Sequence, residues 1–114
     1  MQVVSMKDIG GEVVKDNEVY LLKDNKTLNN LVLSSTFLRA NQNTTGHTHK
    51  GQEEVYMFTE GSGIMQIDDD KFSVSKGDIV LIPDGAFHKV FNTSKYKANN
   101  PLIFVCVFDG GRNH

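Results

Sequence analysis

Short apolar runs, broken every few residues by polar or glycine-containing turns, are the feature that most narrows what this chain can fold into. The breaks include Lys23-Asp24-Asn25-Lys26, residues 41–46, Gly61-Ser62-Gly63, Asp68-Asp69-Asp70 and Pro83-Asp84-Gly85. Between them, strands are expected over residues 19–22, 31–39, 47–49, 54–58, 64–67, 71–74, 79–82, 88–91 and 102–108. Residues 1–18 read as a short first strand, a Gly10-Gly11 turn and irregular chain. Helical periodicity is weak throughout; a one-turn helix over 23–28 is the only candidate. Many short strands at such spacing make an all-β sandwich or barrel. Closing the sheet also hides strand edges that would otherwise pair with other chains.

The 114 residues suit one domain, 1–114, and at 39% hydrophobic the chain has enough apolar side chains for a core. A net charge of −2 offers no basic footprint for nucleic acid or for an anionic membrane surface. No apolar run reaches membrane-spanning length and no signal-like segment opens the sequence. Cys106 is the one cysteine, which rules out an internal disulfide framework and suits a reducing compartment. A cytoplasmic location is therefore expected.

Two blocks concentrate the chemistry. The first, GHTHKGQEEVYMFTEG over residues 46–61, carries His47, His49 and Glu54; the second, GDIVLIPDGAFHKVFN over 77–92, carries His88. His47 and His49 are two apart, so in a strand both leave the same face. Glu54 shares parity with Tyr56 and Phe58, and His88 with Val90. Four donors can thus converge inward. Three neutral imidazoles and one carboxylate suit one divalent transition metal (Fe, Mn, Ni or Zn) with a coordination position left for water or substrate. Glu53 is the rival to Glu54, and a carboxylate facing away from the site or orienting a histidine is its expected role.

The same residues resemble the cupin family. Its first motif, His-x-His, a gap of three or four, Glu, six residues and Gly, is matched by His47, His49, Glu54 and Gly61. Its second, Gly-x5-Pro-x-Gly-x2-His-x3-Asn, is matched by Gly77, Pro83, Gly85, His88 and Asn92. Asn41 stands where the first motif normally opens with glycine, a departure in a turn and not in a ligand. Motif 1 thus spans 41–61 and motif 2 spans 77–92. The resemblance implies a double-stranded β-helix, or jelly-roll barrel, with His47, His49, Glu54 and His88 as metal ligands. The text of the first block looks most like small single-domain members described as like mannose-6-phosphate isomerase.

Fold resemblance leaves the activity open. A metal-dependent isomerase or epimerase of a small carbohydrate or sugar phosphate is the first expectation, with Tyr56 as the catalytic acid or base. An iron-dependent dioxygenase and a non-catalytic small-ligand-binding cupin are the alternatives. Arg39, Gln52, Met65 and Ile67 are candidate pocket residues, Arg39 being more simply a rim residue. Cys106 reads as a buried thiol, Asp68-Asp69-Asp70 as a hairpin turn without calcium-loop spacing, and His114 as a poor ligand. A homodimer is expected, through the N-terminal strand or the strand over 102–108, because a short β-rich chain gains by covering edges and apolar faces.

Overall fold

In the computed structural model, residues 2–95 and 100–110 are described. The strands are β1 (Glu12–Asp16), β2 (Tyr20–Asn25), β3 (Leu31–Leu38), β4 (Glu54–Glu60), β5 (Ser62–Ile67), β6 (Asp70–Ser75), β7 (Ile79–Ile82), β8 (His88–Phe91) and β9 (Leu102–Asp109). They form two antiparallel sheets, ordered β1-β2-β3-β9-β4-β7 and β6-β5-β8. The last strand enters the middle of the larger sheet, between β3 and β4. The fold is all-β, as the turn spacing implied. The residues proposed as a short helix lie in β2 and the chain that follows it. His47–His49 is not a strand: His47 makes a single bridge to His88. The expected loop over 96–101 lies mostly outside the described residues, as does His114.

Alternation decides which side chains meet. On β3, Val32, Ser34, Thr36 and Leu38 are buried while Leu33, Ser35 and Phe37 are only partly covered. The register carries this alternation across the larger sheet, setting Leu38 opposite Leu102, Thr36 opposite Phe104 and Ser34 opposite Cys106. Phe104 in turn pairs with Phe58, and Cys106 with Tyr56. Met65 and Val90, paired on the smaller sheet, complete the core from the other side. Each fully buried large apolar side chain contributes about 1.5–3 kcal/mol through removal from water.

Two glycines are dictated by close approach. Gly61 turns β4 into β5 at φ +84°, where a Cβ would strike the Pro101 carbonyl oxygen. Gly46 has the Phe87 ring against its α-carbon, where any side chain would collide. Phe87 precedes His88, so the bare Gly46 lets the two histidine-bearing segments lie together.

Candidate functional site

Backbone hydrogen bonds position the imidazoles. The His47 N–H donates to the His88 carbonyl at 3.1 Å, and the His88 N–H donates back to the His47 carbonyl at 3.0 Å. The Gly85 N–H donates to the His49 carbonyl at 3.2 Å, and Asp84 accepts the Gly51 N–H at 2.7 Å. The turn residue Asp68 clamps Phe87 at both ends, its N–H donating at 2.9 Å and its carboxylate accepting at 3.0 Å. Asn92, buried at the end of motif 2, donates to the Leu38 carbonyl at 3.0 Å and ties β8 to β3. The two motifs are thus mutually braced.

The ring centroids of His47, His49 and His88 lie 5.3, 5.6 and 5.7 Å apart. Glu54 reaches them from β4 in the larger sheet, whereas His88 sits on β8 in the smaller one. Both are buried, and His88 Nε2 lies 3.0 Å from Glu54 Oε2. His88 Nδ1 lies 3.2 Å from the Ala86 carbonyl, which can only accept, so Nδ1 carries a hydrogen. Nε2 is then the atom turned to the carboxylate.

Among the described residues, no group of three or more His, Cys, Asp or Glu side chains is placed to hold a metal ion. This corrects the expected divalent centre of Fe, Mn, Ni or Zn on His47, His49, Glu54 and His88. The four side chains gather as expected, but Glu54 and His88 face each other at 3.0 Å and direct those two donors at one another. The isomerase, epimerase and dioxygenase readings each rested on that donor set.

A cavity of about 80 Å³ lies against this cluster, and all four residues line it. Tyr56 also lines it, its ring edge-on to His88 at 5.7 Å and stacked on Phe104 at 5.0 Å. Glu53 is exposed, so Glu54 is the inward carboxylate, as parity indicated. Arg39 faces out, bonded to Asp16 at 3.1 Å and lying over Phe37, which makes it a rim residue. Met65 is fully buried in the core and is not among the cavity walls, nor are Ile67 and Gln52. Cys106 is a buried thiol on the cavity wall. Sequence reasoning missed Lys15, Tyr20, Ser34, Thr36, Thr44 and Thr45, which line the cavity as well. Ser34 and Thr36 left one signal: two polar residues alternating with outward-facing ones on a strand whose inward parity also holds Val32 and Leu38.

A jelly-roll of two antiparallel sheets with a histidine-lined interior is the architecture of the cupins, and the family described as "Cupin domain" matches residues 38–108. The chain belongs to that family. It is 31% identical to an uncharacterized protein of Methanocaldococcus jannaschii, over 91% of this chain and 88% of that one. Among solved structures it is similar to an uncharacterized conserved protein with a double-stranded β-helix domain from Klebsiella pneumoniae, with a TM-score of 0.79, 18% identity and coverage of 100% of this chain and 94% of that one. It is also similar to a Thermus thermophilus protein, TT1209, with a TM-score of 0.78, 20% identity and coverage of 96% and 97%. These likenesses carry the fold. None singles out the mannose-6-phosphate isomerase-like type. No helix among the described residues is long and apolar enough to cross a membrane.

Proposed function

We propose that this cupin binds a small, hydroxylated organic molecule in the cavity bounded by His47, His49, Glu54, Tyr56 and His88, and that binding, without turnover, is its activity. The observation that carries the reading is the mixed lining of the cavity. Imidazole nitrogens and hydroxyls supply hydrogen-bond donors and acceptors, while Phe104, Phe108 and Leu22 supply apolar wall. A few placed polar groups on an apolar wall are what orient a small ligand and exclude water from it. In this reading the Tyr56 hydroxyl is a hydrogen-bonding contact, its ring held by the stack on Phe104.

The test is to follow the histidine ring C–H signals by NMR while a panel of small polyols, hydroxy acids and sugars is titrated in. The signals of His47, His49 and His88 are expected to move together and saturate with at least one member, which is recovered unchanged afterwards. Flat signals across the panel would remove the reading, and a chemically altered ligand would replace it with an enzyme.

A homodimer is the second part of the proposal. β9 is hydrogen-bonded on both sides, by β3 and β4, so its edge is not free to pair. Its outward face is apolar instead. Val107, partly covered, continues across the register through Val55 to Leu81, and Met57 beside it to Ile79; Ile79 and Leu81 are 62% and 70% exposed on the edge strand β7, while Val105 is already buried within the chain. A second copy lying on this face would cover it, and stable interfaces bury roughly 800 Å² per partner. The double substitution I79K/L81K is expected to give a monomer by light scattering where the unaltered protein gives a dimer. A monomeric unaltered protein at high concentration would reject this part alone.

A further inference from the structure

β1 pairs with β2 through an irregular register. Val13 lies opposite Lys23, but Lys15 lies opposite Leu22 and Asp16 opposite Leu21, so Val14 is an extra residue. Without the bulge, the register running on unbroken from Val13, Lys15 would lie opposite Leu21, which pairs with Phe37 on the outward row of the sheet. With it, Lys15 faces Leu22, which is buried and lines the cavity. A bulge re-aims a side chain in this way, and bulges recur beside binding sites for that reason. Asp16 and Arg39, one residue on, pair outside the barrel, as the shifted register requires. Lys15 is exposed like the rest of β1 and yet lines the cavity, and neither ion pair found among the described residues involves it.

We infer that the bulge at Val14 exists to bring the Lys15 ammonium to the cavity, where it holds the anionic group of the ligand, so that the ligand class is small organic acids bearing hydroxyls. This rests on the cavity's being the ligand site, as proposed above. The chemistry is complementary. A carboxylate buried in so small a space needs a cation, and an ammonium on a flexible four-carbon stem can follow it to the mouth. The imidazoles, Thr44 and Thr45 then meet the uncharged hydroxyls.

The test uses two probes with one carbon skeleton, glycerate and its neutral amide glyceramide, read by the histidine ring signals of the full chain. Glycerate is expected to bind roughly tenfold more tightly than glyceramide, the scale of one charge-assisted hydrogen bond partly screened by solvent. Lys15→Met is expected to abolish that preference while leaving glyceramide binding unchanged, and Lys15→Arg to keep most of it. Circular dichroism checks that the sheet persists in each variant. If both probes still move the histidine signals but Lys15→Met leaves the preference intact, Lys15 is not the anion's partner and the cavity reading stands. If neither probe moves them, the assignment of small hydroxy acids as the ligand class falls, and the cavity reading is decided by the wider panel.

Discussion

Replacing Phe104 by alanine is expected to destabilise the protein by about 3–5 kcal/mol, the range for truncating a buried phenylalanine. Phe104 is 1% exposed at the centre of β9, the strand that is paired on both sides. Its ring stacks on Tyr56 at 5.0 Å with the planes 15° apart and meets Phe58 at 5.4 Å. Truncation therefore removes the apolar area and also two aromatic contacts, and it leaves a hole that rigid flanking strands cannot close. The same ring forms part of the cavity wall, so the histidine signals should broaden or shift even without ligand. Urea unfolding measures the first effect through its midpoint. A loss below about 1 kcal/mol would mean that the core relaxes around position 104 far more than this packing allows.

Replacing His88 by leucine is expected to cost a further amount of the same order, about 3–5 kcal/mol, for a different reason. Glu54 and His88 are both buried and face each other at 3.0 Å. Removing the imidazole strands a carboxylate in a low-dielectric interior and also takes a donor from the Ala86 carbonyl. Adding Glu54→Leu should recover a large part of the loss, at least about 2 kcal/mol, because two apolar groups in place of a buried polar pair are often tolerated. The sign of the coupling is the test. If the double variant is as unstable as the two single variants summed, the two side chains do not act as a pair. Both variants should lose the ligand response, since both remove a wall of the cavity.

Much of the site was legible because strand periodicity is strict. Glu54, Tyr56 and Phe58 share one parity, and the structure buries all three while exposing Glu53. The glycines of both motifs mark turns that a side chain would obstruct or strain, which is why their spacing identifies the fold even where identity is low. Lys15 was not legible. Its inward direction depends on one extra residue in β1, and no local pattern in EVVKD distinguishes a bulged strand from a regular one. The strand expected at His47–His49 failed for a related reason: two histidines of matching parity need only an extended backbone, and a single bridge to His88 supplies it.

The sequence by itself determined that this is a cupin, that Glu54 and His88 point inward, and that the chain is built of short strands. Those properties follow from local spacing, because period-two alternation and turn chemistry act within a few residues. Only the tertiary structure decided that Glu54 and His88 approach from opposite sheets and spend their donors on each other. It alone decided that a bulge carries Lys15 to the cavity and that β9 is closed off on both edges. These depend on register and on the distance between sheets, which are set by the packing of residues far apart in the chain.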